Sequence, residues 1–209
     1  MRLFHFLNAE YGLKDIRERR LKIARIAALN DPFEFLGVEL SNRQRRAALN
    51  EAKASLSEKH GLLCFSKNWQ NPVQWAHYAS NHSGLCLAFE LPDHLPRQVS
   101  YVNSRFNWPE KLDQGFMLQL LFTKFSHWSY EDEYRVYTDL DESENNLYYA
   151  NFSETLKLSG VIVGAESMVT RAELATALGD LQTSVETFKA RPAFKSFRIV
   201  QNKNARLWA

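Results

Sequence analysis

Cysteine is nearly absent. The 209-residue chain holds two, Cys64 and Cys86, each inside an apolar run, Leu62-Leu63-Cys64-Phe65 and Leu85-Cys86-Leu87-Ala88. With no Cys-x-x-Cys pair and no clustered His-Cys spacing, neither a disulfide framework nor a structural zinc site organises the fold. Buried, reduced thiols acting as small hydrophobes fit both positions, and a reducing cytosol is the expected compartment. Long apolar runs are missing too. No stretch approaches the roughly 18 consecutive apolar residues of a membrane span, and the opening Met1–Asn8 is interrupted by polar residues too soon for a signal-peptide core, so a cytoplasmic protein without membrane attachment is expected. A strong net charge is lacking as well: 26 Lys and Arg against 24 Asp and Glu leave +2, with a sequence pI near 8.5. That is too mild to announce nucleic-acid binding from bulk electrostatics. Internal repeats and a regular βαβ alternation are also absent.

What is present describes a folded globular chain. Hydrophobic residues at 45% and charged ones at 24% exclude a disordered or fibrous protein. The length favours a single domain over residues 1–209. Charge is unevenly placed: Lys14, Arg17, Arg19, Arg20, Lys22 and Arg25 face only Asp15 and Glu18, and Arg43, Arg45 and Arg46 follow. The first quarter is therefore basic, and the segment holding Arg17, Arg19, Arg20, Lys22 and Arg25 would suit a phosphate-bearing partner such as nucleic acid.

Residues 3–7 read as a short aromatic strand. Apolar spacing over 13–28 is roughly helical, with a break near Arg19-Arg20 and a partly extended continuation. Asn30-Asp31-Pro32 is a turn. Residues 41–58 predict an amphipathic helix capped by Ser41, 62–66 a buried strand, 72–78 a helix opened by proline, and 85–91 a further strand. Residues 112–125 are helical and apolar, and strict alternation over 128–138 predicts a strand. Another strand spans 156–164, Thr170-Arg171-Ala172-Glu173 is a capping box starting a helix through Leu178, and 197–200 supplies a last strand. Residues 66–72, 92–110 and 139–152 are the expected loops. The result is an α+β fold around a mixed, mostly antiparallel sheet flanked by helices.

The densest constellation is Trp128-Ser129-Tyr130-Glu131-Asp132-Glu133-Tyr134-Arg135. On a strand Glu131, Glu133 and Arg135 would share one face, and two carboxylates so close need a cation or a ligand unless that face is wet. The same pattern could serve as a structural clamp pairing Arg135 with the Asn30-Asp31-Pro32 turn, with Asp31 and Glu34 as salt-bridge partners. His5 lies between Phe4 and Phe6, His77 and His82 belong to the segment from Trp75 to His82, and Ser66 ends a buried strand, where binding groups often lie.

Taken in order, Asn30-Asp31-Pro32-Phe33-Glu34, Cys64-Phe65-Ser66, Asn71-Pro72, Trp75-Ala76-His77-Tyr78, His82-Ser83-Gly84 and Trp128-x-x-Glu131-x-Glu133-x-Arg135 resemble a bacterial domain-of-unknown-function family related to abortive-infection proteins. That family more distantly resembles the ADP-ribosyltransferase fold. The resemblance implies NAD as a substrate. His5 would bond a ribose hydroxyl, and Ser66 would support the nicotinamide side of a pocket lined by Trp75 and Tyr78, with Arg135 among the NAD-binding residues. Glu133 would hold the 2′-hydroxyl as an oxocarbenium-like centre develops, and Glu131 would orient the acceptor. The acceptor would be nucleic acid or protein, and the setting a toxin or antiphage defence effector with an antitoxin or other defence partner.

Two other functions share these residues. A non-catalytic nucleotide- or nucleic-acid-binding module would stack a base on Trp75, Tyr78 or Trp128 and hold phosphate with arginines. A metal-dependent nuclease would use Asp31, Glu34, Glu131 and Glu133. No metal is implied by the transferase resemblance. That reading requires His5, Ser66 and the 131–135 segment to meet in one cleft.

Overall fold

The protein, described over residues 1–208 by a computed structural model, is a mixed α+β chain with mostly antiparallel pairing. Its strands are β1 (Arg2–Leu7), β2 (Arg20–Arg25), β3 (His60–Ser66), β4 (Leu85–Glu90), β5 (Arg97–Gln98), β6 (Ser100–Val102) and β7 (Thr123–Phe125). They continue as β8 (Glu133–Asp139), β9 (Ser143–Glu144), β10 (Leu147–Asn151), β11 (Lys157–Val163), β12 (Glu186–Pro192) and β13 (Ile199–Gln201). The helices are α1 (Ala9–Glu18), α2 (Arg43–Lys59), α3 (Pro72–Tyr78), α4 (Gln114–Leu121) and α5 (Arg171–Leu178). The backbone divides into two compact units: Met1–Leu21, Phe65–Asp93 and the residues from Ala150 onward form the first, Lys22–Cys64 and His94–Tyr149 the second. Among the described residues no helix is long and apolar enough to cross a membrane.

The first unit is built outward from β4. Its Leu85, Cys86, Leu87, Ala88 and Phe89 are all fully buried, as a continuous apolar run demands when both faces of a strand are covered. β1 pairs with it antiparallel on one side (Phe6↔Cys86) and β11 on the other (Ile162↔Cys86). β12 then adds in parallel to β11, and β13 closes antiparallel on β12. One face of this sheet holds Phe4, Trp75, Ala88, Ile162, Phe188 and Ile199 in a common core. α3 begins as its sequence requires: the Asn71 side chain accepts from the Val73 N–H, and Pro72 occupies the first turn. The Thr170–Glu173 capping box of α5 forms in full, while the last strand lies at Ile199–Gln201, leaving Phe197 outside it.

Two close backbone approaches bring His82-Ser83-Gly84 and Gly164 together. Ser80, Asn81 and His82 all have positive φ, and the tight turn carries the chain back so that the Gly164 N–H donates to the Gly84 carbonyl at 2.9 Å and the Glu166 N–H to the His82 carbonyl at 3.1 Å. A Cβ on Gly164 would stand 2.1 Å from the His82 carbonyl oxygen. These residues are there for the turn.

In the second unit α2 is capped by Asn42, whose side chain accepts from the Gln44 and Arg45 N–H groups, and not by Ser41. Its core gathers Ile26, Phe35, Leu49, Leu62, Leu120 and Leu121. The helix expected over 112–125 stops at Leu121, and Thr123–Phe125 instead pairs in parallel with β6. The loop expected over 139–152 contains the β9–β10 hairpin, turned by Asn145 and Asn146 at φ 52° and 62°. The strand expected over 128–138 begins only at Glu133. Before it, Ser126–Glu131 form a 3-10 turn and Asp132 is left-handed at φ 43°. The alternation there reflects a turn that brings the Trp128 and Tyr130 rings to 5.9 Å and the Lys124 ammonium 5.0 Å over Trp128.

Candidate functional site

The chemistry-bearing residues of the second unit converge on two buried cations. Arg135, only 1% exposed, makes a bidentate pair with Glu133 (Nε to Oε1 2.8 Å, Nη2 to Oε2 2.9 Å). Its Nη1 also donates to Glu34 and to the Leu121 carbonyl. Lys124 donates to Glu131 Oε2 at 2.5 Å and lies 3.1 Å from Glu133 Oε2. Glu131, Glu133 and Arg135 do come together, but not as one strand face: Glu131 ends the 3-10 turn, and Lys124 bridges it to Glu133. Glu34, from the turn after Asn30-Asp31-Pro32, completes the clamp with Arg135. Asp31 acts within that turn, its Oδ1 accepting from the Phe33 N–H at 2.9 Å.

Three carboxyls therefore face two cations in a nearly dry interior, and burial competes with those cations at Glu34 and Glu133. Burial raises the Glu34 carboxyl, and Arg135 and Lys124 only partly oppose it. Burial also acts to raise Glu133, but there Arg135 and Lys124 win and hold the carboxyl below its ordinary value. Desolvation works against the Lys124 charge, yet Glu133, Glu131 and Glu34 outweigh it and raise its pKa. Tyr101, whose hydroxyl accepts from the Glu133 N–H at 2.9 Å, is pushed up to about 12 by burial. Among the described residues no group of three or more His, Cys, Asp or Glu side chains is arranged to hold a metal ion. Of the carboxylates that a nuclease site would need, Glu34, Glu131 and Glu133 instead direct oxygens at Lys124 and Arg135.

Lys124 also lines a cavity of about 250 Å³ with Phe33, Asn103, Ser104, Arg105 and Phe125. Phe33 and Phe125 are 56% and 42% exposed and form aromatic rims, with the Arg105 guanidinium 5.7 Å from the Phe33 ring centroid. A mostly apolar hollow with a few converging polar groups beside strongly perturbed ionisable residues is the usual form of a ligand site. Of these residues only Phe33 lies in a sequence motif, the turn Asn30-Asp31-Pro32-Phe33-Glu34. Lys124 had one signal, a lone cation in the apolar run Leu120-Leu121-Phe122-Thr123-Lys124-Phe125. Asn103, Ser104 and Arg105 lie in an expected loop without a motif.

The remaining candidate residues belong to the first unit. Half-buried His5 sits on β1 opposite Leu87, its ring 5.8 Å from Phe65. Ser66 is buried, and its hydroxyl accepts from the Asn68 N–H at 3.0 Å and from the Gln74 side-chain amide at 3.0 Å, anchoring the start of α3. Trp75 is fully buried in the core, its indole N–H given to the Trp69 carbonyl, and His82 stacks parallel to it. Tyr78 packs edge-on against His77. In the basic segment, Arg19 reaches the Ala177 and Leu178 carbonyls and Asp180, and Arg20 pairs with Glu18. Those two guanidiniums are thus engaged within the fold, while Arg17, Lys22 and Arg25 are exposed. No protein-family model, no curated protein and no solved structure matches the chain.

Proposed function

We propose that the protein is a binding module for a nucleotide-class ligand, an aromatic ring carrying anionic groups, held in the cavity beside Lys124. The observation that carries this reading is the presence in one hollow of two half-exposed rings, Phe33 and Phe125, and the Arg105 guanidinium. The rings offer stacking faces and the guanidinium a fork for phosphate. That Glu131 and Glu133 point oxygens at buried cations supports binding over turnover. Thermal-shift and calorimetric titration with mononucleotides, ADP-ribose and NAD tests it, with chromatography for released nicotinamide. Saturable stabilisation that Phe33→Ala and Arg105→Ala each weaken, without nicotinamide release, is expected. Stabilisation by none of these ligands, or stabilisation indifferent to both substitutions, rules it out.

A second reading, ADP-ribosyl transfer from NAD, is favoured by one observation: Glu133 is held below its ordinary pKa and so stays ionised, as a carboxylate facing an oxocarbenium-like centre must be. In that reaction the bond from nicotinamide nitrogen to ribose C1′ breaks, nicotinamide leaves with the electron pair, and the acceptor atom bonds C1′ and gives up its proton to water. Glu133 would be catalytic and Glu131 would orient the acceptor. Either reading accords with a defence role. Label transfer or nicotinamide release that Glu133→Gln abolishes, with the fold retained, would establish transfer over simple binding. Equal activity of the substituted protein would end it.

A further inference from the structure

The hairpin joining β12 to β13 in the first unit leaves two large aromatic side chains in water. The Ala193 N–H donates to the Arg198 carbonyl at 2.9 Å and closes a four-residue tip, Phe194-Lys195-Ser196-Phe197. Phe194 is 90% exposed and Phe197 99%. The Arg191 guanidinium stacks on Phe194, 4.2 Å from its centroid. Beyond Glu186 the chain has no acid at all but six cations, Lys189, Arg191, Lys195, Arg198, Lys203 and Arg206. The preceding 186 residues hold the other 20 Lys and Arg against all 24 Asp and Glu. The modest overall charge thus conceals a strongly basic end joined to a net acidic remainder. Paired phenylalanines exposed this fully on a hydrogen-bonded hairpin, amid cations only, mark an interaction surface.

We infer that this hairpin binds single-stranded nucleic acid, with Phe194 and Phe197 stacking bases and Arg191, Lys195 and Arg198 meeting the backbone phosphates. The charge selects a polyanion. Three features select a strand of bases over an anionic membrane. The apex between the rings is Lys195-Ser196, a charge and a hydroxyl that insertion would carry into the bilayer ahead of the apolar groups. No aliphatic side chain accompanies the two rings at the tip. The cations also continue in the sequence past the hairpin, at Lys203 and Arg206, with no acid among them. Stacking on aromatic side chains within a basic track is how sequence-tolerant single-strand binders work, since every base offers a π-face. The surface belongs to the first unit, and its assignment does not depend on what the second unit's cavity holds.

The test is fluorescence anisotropy of a labelled oligothymidylate with the full chain, over a salt series. Binding should weaken on the order of tenfold or more in Phe194→Ala/Phe197→Ala, the loss expected for one or two stacked bases. In Lys195→Ala/Arg198→Ala the slope of log affinity against log salt should fall by about 1.4, two single-strand phosphate contacts. All four side chains are exposed, and an unchanged melting temperature verifies the fold of each variant. Retention of full affinity in both variants, or absence of oligothymidylate binding at low salt, overturns the inference. So does phenylalanine-dependent cosedimentation with phosphatidylglycerol vesicles, or phenylalanine-dependent self-association in sedimentation velocity, without oligonucleotide binding.

Discussion

Replacing Arg135 by methionine should destabilise the protein by about 3–5 kcal/mol at neutral pH, the cost of leaving buried charge uncompensated. The guanidinium is 1% exposed and serves Glu133 through two hydrogen bonds, Glu34 through one and the Leu121 carbonyl through another. At an effective dielectric near 20, one contact of opposite charges at about 4 Å is worth about 4 kcal/mol. The variant forfeits two such contacts, and relief from desolvating the guanidinium returns only part. Lys124 cannot take over, because it already serves Glu131 and Glu133. The loss should depend on pH with a definite sign. In the parent the Glu133 carboxyl is depressed, so its stabilisation exists above its unfolded pKa, about 4.3, and is lost as pH falls through the lower folded value. In the variant burial dominates and the folded pKa rises, so stability declines as pH rises through it. The gap should therefore be widest at neutral pH and shrink towards about pH 4. Urea unfolding followed by circular dichroism at the two pH values measures it. A loss under about 1 kcal/mol, or one that does not change with pH, would refute the view that Arg135 is the charge the interior cannot do without.

Within the same cluster, Glu34 and Glu133 should behave oppositely. Glu34 has a raised pKa, so it contributes stability below its unfolded pKa that is lost as pH rises through the folded one. Glu34→Gln should thus cost under about 1 kcal/mol at neutral pH, against about 2–3 kcal/mol for Glu133→Gln, which removes a paired buried charge. Denaturant midpoints rank them, and the reverse order would contradict the heavier burial penalty on the Glu34 carboxylate. Gly164→Ala, with its Cβ driven to 2.1 Å from the His82 carbonyl oxygen, should cost more than about 2 kcal/mol. A melting temperature within a degree or so of the parent would mean that the two backbones part easily.

Local signals in the sequence determined a good deal. The proline and asparagine opening α3, the capping box of α5, the break after Glu18 and the apolar runs of β3, β4 and β11 each depend on neighbours a few residues away, and each formed close to where those neighbours place it. The pairing of Arg135 with the turn after Asn30-Asp31-Pro32 was also foreseeable as a clamp, because a buried guanidinium demands carboxylates. What only the tertiary structure decided is longer in range. Glu131 left the strand that its alternation suggests because Lys124, seven residues earlier on a strand that the sequence shows as helix, is the cation it must reach. Trp75 became core instead of pocket wall because β1, β4, β11 and β12 assemble a sheet over it. The cavity at Arg105 and the exposed rings of Phe194 and Phe197 carry no local signal, since exposure is fixed by what the rest of the fold leaves uncovered.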